Sequence, residues 1–194
     1  MRRVLCLALT LIAAATATPA AAQSFETFKR FCLETGGAPD SVLAALGQAG
    51  WETDPRTANL PANLTVTLMS DPTTGTPPLE MVMVGFIATP PGLSLPACSV
   101  MGPAVDAELV EQQVTGWAGF APRRSAQGWP AWVYTSGPDQ VTPQPDLVNA
   151  SEAELQAAAA TRGTVHAIQV RTSRAGPFLF HSSVGPDTPI SPAD

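Results

Sequence analysis

Few residues of this chain are equipped for catalysis or metal binding: His166 and His181, Cys32 and Cys98, and 16 carboxylates. A shared metal or acid/base site would need the two histidines side by side. Both sit in the last two stretches of alternating residues, about Thr164–Ser173 and Phe178–Val184, so the register of one hairpin decides the matter. Matching Ile168 and Val170 to the apolar set Phe178, Phe180 and Val184 pairs Val170 with Phe180, Ile168 with Ser182 and His166 with Val184. It leaves Arg174-Ala175-Gly176 as a three-residue loop with Gly176 where a left-handed backbone is wanted. In that register the histidines point to opposite faces, His181 toward the polar or helix-covered side and His166 beneath the other layer. Slipping the pairing by one residue would unite them, at the expense of the apolar match. Each histidine is therefore expected to be a hydrogen-bonded structural group, with His181 the better functional candidate of the two.

Other catalytic patterns are missing. Gly92-Leu93-Ser94-Leu95-Pro96 has proline where a nucleophile elbow has its second glycine. The single lysine, Lys29, has no serine three positions before it. There is no H-E-x-x-H, C-x-x-C, phosphate-binding loop or dinucleotide fingerprint. The carboxylate pairs Glu52 with Asp54 and Glu108 with Glu111 read as solvated loop and helix residues. No catalytic residue, metal or cofactor is assigned.

The cysteines are read through the first 22 residues. Arg2 and Arg3 precede an apolar run from Val4 to about Ala17, and Ala20-Ala21-Ala22 forms a small-residue cleavage site before Gln23. This is the layout of an export signal, too short for a bilayer span of ~20 residues. No later stretch could span either. Cleavage removes Arg2 and Arg3, which makes the chain more acidic than its overall −6. It also removes Cys6, leaving an even pair in an oxidising compartment, so Cys32 and Cys98 are expected to form a disulfide. The negative balance argues against nucleic acid as a partner.

Around these residues the pattern predicts an α+β domain over residues 23–185, with a loose proline-rich tail over 186–194. Its core is an antiparallel sheet of about five to six strands, with two N-terminal helices and two further helices packed on it. Ser24 opens the first helix, whose face is Phe25, Phe28 and Cys32, and Gly36-Gly37 stops it. Pro39 opens the second, and Gly50 ends it before Trp51. Leu64–Leu68 alternates as a strand, Glu80–Thr89 reads as the central strand, and a short strand near Leu95–Met101 carries Cys98. A helix spans about Pro103–Trp117, and Trp129–Ser136 forms a strand with Pro130 at its start. Proline-rich residues 137–147 read as loop. Ser151-Glu152-Ala153-Glu154 is a capping box for a helix that Gly163 ends.

Binding is better represented than catalysis. Arg123 and Arg124 lie in a loop between Trp117 and Trp129, with Trp132 close after, and Arg beside Trp is the composition of interface hot spots. The plainer reading is core tryptophans beside a solvated turn. Asn63 and Asn149 each begin a glycosylation sequon. The mature start, F-x-x-x-C-L-x-T-G-G over Phe28–Gly37 followed by A-A-L-x-x-A-G-W ending at Trp51, resembles small exported proteins of unknown function from Gram-negative bacteria. That resemblance covers about thirty residues and implies periplasmic or secreted residence with no particular activity. The sequence thus points to an exported, non-catalytic binding domain with an unidentified protein or small ligand as partner. The alternatives are a hydrolase-like enzyme with a site near His181 and a structural protein associated with the envelope.

Overall fold

The computed structural model describes residues 20–53, 69–70, 81–89, 93–102, 105–137, 140–174 and 176–188. The strand expected at Leu64–Leu68 lies outside them. Helix α1, Ala20–Phe28, continues into one π-helical turn, Lys29–Leu33. Ser24, expected as its cap, lies inside it, fully buried. Phe25, Phe28 and Cys32 form the buried face as the spacing requires. Gly36 and Gly37, at φ 66° and 70°, break the helix in the left-handed region that glycine tolerates. Helix α2, Pro39–Gln48, ends in a Schellman motif: Trp51 N–H donates to the Leu46 carbonyl and Gly50 N–H to that of Gly47, both at 3.0 Å. Trp51 then turns back edge-on to Phe31, ring centroids 5.4 Å apart.

The sheet is antiparallel throughout. Its long strands are β3 (Met81–Thr89), β4 (Leu93–Met101), β6 (Pro130–Ser136), β8 (Val165–Ser173) and β9 (Gly176–Val184). Short segments flank them: β1 (Glu52–Thr53), β2 (Met69–Ser70), β5 (Arg123–Arg124) and β7 (Val141–Pro143). The order is β1-β2-β3-β4-β9-β8-β6-β5, with β7 also on β6. The strand at Cys98 is longer than its sequence suggested, because all of β4 pairs with β3 from Met81–Met101 to Thr89–Leu93. Residues 137–147 are less irregular than expected: β7 and a 3₁₀ turn, Pro145–Leu147, occupy most of them.

Two layers cover the sheet unequally. On one face, α1, the π-helical turn, α2 and helix α3 (Ala107–Ala118) enclose Val82, Val84, Val100, Trp132, Ile168, Val170 and Leu179. Asp106 caps α3, its carboxylate accepting from Glu108 and Leu109 N–H at 3.0 Å. Val110 and Val114 are its buried stripe. On the other face, helix α4 (Glu152–Arg162) lies on β8 and β9, joining Leu95, Val133, Val165 and Val184 into a smaller cluster. The capping box of α4 is present, with Ser151 N–H donating to the Glu154 carboxylate at 2.7 Å. Gly163 closes the helix at φ 84°. None of the described helices is long and apolar enough to cross a membrane.

Cys32 and Cys98 are bonded, with Cα atoms 5.5 Å apart, and tie the π-helical turn to the middle of β4 across 66 residues of sequence. The chain-entropy argument gives a loop of that length roughly 4 kcal/mol of stabilisation. The double variant Cys32→Ala/Cys98→Ala is expected to lose most of it in urea-unfolding equilibria. A loss below about 1 kcal/mol would show that the bond does not constrain the unfolded chain in this way.

Candidate functional site

The final hairpin departs from the register read in the sequence. Ser173 pairs with Gly176, so only two residues separate the strands. Val170 pairs with Leu179, Ile168 with His181 and His166 with Ser183. The reason is that both faces of this hairpin are apolar. Leu179 is the core partner of Val170 and is fully buried under the helices, while Phe178 and Phe180 turn to the other face. Matching the two phenylalanines to the core instead shifts the pairing by one. A one-residue shift exchanges faces, so His166 joins His181 under the helical layer instead of lying beneath the opposite one.

The histidines occupy diagonal positions on adjacent strands, within reach for long side chains. His166 Nδ1 lies 3.2 Å from His181 Nε2, and His166 Nε2 lies 3.1 Å from Ser136 Oγ. The rings are stacked at 5.4 Å between centroids, and Tyr134 stacks on the outer side of His166 at 5.1 Å. Trp117 of α3 closes the column edge-on to Tyr134. Ser136 is exposed at the end of β6, whereas His181 is fully buried. The chain of contacts therefore runs from the surface into the core. It ends at His181 Nδ1, which has no hydrogen-bond partner among the described residues. A Cβ on Gly37 would fall 2.3 Å from that nitrogen, so the glycine loop after α1 is the lid over the ring.

Burial pushes the His166 pKa down to about 4. Burial, with the neighbouring His166, pushes His181 down to about 3. Both rings are neutral at pH 7 and each carries one proton. A buried N–H without a partner costs more than a bare acceptor nitrogen. The favoured arrangement therefore has His181 Nε2–H donating to His166 Nδ1, and His166 Nε2–H donating to Ser136. In it Ser136 receives a proton donor rather than a base. Among the described residues no group of three or more histidine, cysteine or acidic side chains is placed to hold a metal.

The opposite face carries a second arrangement, absent from the sequence reading. The Arg171 guanidinium lies 3.6 Å over the Phe180 ring and 5.0 Å from the Trp129 ring. Arg171 Nε–H donates to Gln169 Oε1 at 2.6 Å. Beside this stack opens an apolar recess of about 130 Å³, lined by Met83, Ile87, Ala97, Ser99, Phe178 and Phe180. Among the described residues no carboxylate pairs with Arg171. Burial lowers its pKa to about 10, and it stays charged at neutral pH.

The residues expected to bind are dispersed. Arg123 and Arg124 form exposed β5 on the edge of β6. Arg124 lies 3.7 Å from the Glu111 carboxylate, and its guanidinium donates to the Gly128 carbonyl at 3.4 Å. Asn149 holds this turn, its Oδ1 accepting from Ala126 N–H at 2.7 Å. Trp129 is half-buried and faces Arg171, but Trp132 is fully buried in the helical-side core. A second recess under α4 contains Asp146, Glu154 and Arg162. There Arg162 is occupied by Asp146 at 3.0 Å and by Gln144.

Compared with protein-family models, with curated proteins and with solved structures, the chain finds no match.

The histidine column makes stability depend on pH. Both folded pKa values lie below that of a free histidine, near 6.5, so the unfolded chain takes up protons first as pH falls. The stabilising contribution is complete above about pH 6.5 and is lost on descending toward 4 and 3, at up to ~1.4 kcal/mol per pH unit for each ring. His166→Gln is expected to flatten the fall between pH 6.5 and 5, a window above the range where carboxylates titrate. Parallel wild-type and variant curves in urea unfolding would contradict this. Gly37→Ala, with a left-handed φ and the His181 ring in the way, is expected to destabilise by about 1–3 kcal/mol or more. An unchanged midpoint would mean that the loop does not cap the ring.

Proposed function

We propose that this chain, after loss of residues 1–22, is a periplasmic or secreted domain that binds a partner without transforming it, using the face of the sheet that α4 leaves uncovered. The export signal, the disulfide and the resemblance of the mature start to small exported Gram-negative proteins support that residence. One observation carries the binding reading: Arg171 stands charged between two aromatic rings, at the rim of an apolar recess, with no carboxylate among the described residues to pair it. Partly burying a cation costs free energy unless an anion accompanies it. A stack that keeps the cation in place without one is suited to an anion that arrives from outside.

Hydrolysis has one observation on its side, the 3.1 Å contact of Ser136 with His166. The base in such a pair would have a pKa near 4, far below the value that suits proton abstraction at neutral pH. Neither recess described above includes Ser136, His166 or His181. Binding therefore stands first.

Anilinonaphthalene sulfonate, an aromatic anion, is a direct probe of the proposed face. It is expected to bind the native mature protein saturably at pH 7, and Arg171→Gln is expected to weaken it by roughly tenfold or more, the worth of one charged hydrogen bond. Failure to bind, or equal binding to the variant, would refute the reading.

A further inference from the structure

The uncovered face also restricts what the partner presents to it, and this step rests on the binding reading above. Three features act together. First, Arg171 Nε is already engaged by Gln169 and the guanidinium carbon lies 3.6 Å over the Phe180 ring centroid. The Nη hydrogens have no carboxylate among the described residues, and they form a planar fork that matches one in two-point fashion. Second, the adjoining recess is small. Typical pockets for drug-sized ligands hold ~300–1000 Å³, whereas this one holds about 130 Å³, room for one apolar side chain. Third, the recess is apolar and open at the sheet surface. Gly85 contributes no side chain to its lining, and Ser99 is its one hydroxyl-bearing lining residue. The whole chain carries −6 and would repel anions at a distance, so an unpaired cation here is a local complement to negative charge.

We infer that this face binds the C-terminus of a polypeptide, with the terminal carboxylate on Arg171 and the last, apolar side chain in the recess lined by Met83, Ile87, Ala97 and Phe178. A chain end supplies both groups from a single residue, one carboxylate next to one side chain. A long acyl chain would also offer a carboxylate, but most of its tail would remain in water.

The test uses the purified mature protein and three ligands: a capped Gly/Ser peptide ending in leucine with a free carboxylate, the same peptide as its C-terminal amide, and decanoate. Trp129 lies against Arg171, so binding can be read from tryptophan fluorescence and checked by calorimetry. The free-acid peptide is expected to bind roughly tenfold or more tighter than the amide. Arg171→Gln is expected to bring the acid down to the amide's level, and Arg171→Lys to fall between. The acid-to-amide comparison is made on the native chain, so it stands even if a variant folds poorly. Equal binding of acid and amide would overturn the inference. So would an undiminished Arg171→Gln variant, or decanoate binding more tightly than the acid peptide. If none of the three binds while the aromatic sulfonate does, the chain-end proposal fails and the binding reading survives. If the sulfonate also fails, both fall.

Discussion

The pairing of Ser173 with Gly176 fixes the contents of both faces of the sheet. Strands alternate with a period of two, so a single register places every side chain of the last hairpin at once. Here it sends His166, Ile168, Val170, Leu179 and His181 under the helices, and Gln169, Arg171, Phe178 and Phe180 to the other side. The alternative register would have separated the histidines and moved Leu179 from the core. It would also have taken Phe180 from beneath Arg171. The histidine column and the arginine stack are therefore two consequences of one pairing.

The helical layer makes that pairing costly to leave. Cys98 stands opposite His181 on the neighbouring strand and is bonded to Cys32, so the segment carrying Gly37 is fastened close to the ring it covers. Leu179, Ile168 and Val170 are in the same cluster as Phe28 and Val114. A shift of one residue would leave Ile168 and Val170 in place but turn Leu179 and His181 out of that cluster and force Phe178 and Phe180 into space shaped for a leucine, and such overpacking of a close-packed core costs roughly 1–3 kcal/mol. The histidines are thus carried inward by their neighbours and reach a tolerable state by staying neutral and bonding to each other. This accounts for a surface-to-core chain of polar contacts with weak basicity, and it is why the uncovered face is the better candidate for function.

Features that depend on neighbouring residues were legible in the sequence. Ser151 and Glu154 announce the start of α4, and Gly50 before Trp51 announces the end of α2. The cysteines become an even pair once Cys6 is set aside. The hairpin register was not legible, because the usual clue, one apolar and one polar face, is missing when Leu179 serves one face and Phe178 and Phe180 the other. The facing of His166 and the Arg171 stack both follow from that register. Alternation puts Trp129 and Trp132, three residues apart, on opposite faces, but it does not say which face the helices cover, so Trp132 fully buried and Trp129 half-buried could not be told apart. The π-helical turn at Lys29–Leu33 has no signal in residue type that separates it from an ordinary last helical turn.

In a chain of net charge −6, Arg171 lies over an aromatic ring with no carboxylate partner among the described residues, and the register is what places it there. The most direct measurement is of that register: side-chain and backbone nuclear Overhauser contacts across the β8–β9 hairpin in the isotopically labelled protein. The account predicts contacts of Val170 with Leu179, of Ile168 with His181 and of the His166 ring with the His181 ring. Contacts of Val170 with Phe180 and of Ile168 with Ser182, with the two imidazoles apart, would contradict it and remove both sites together.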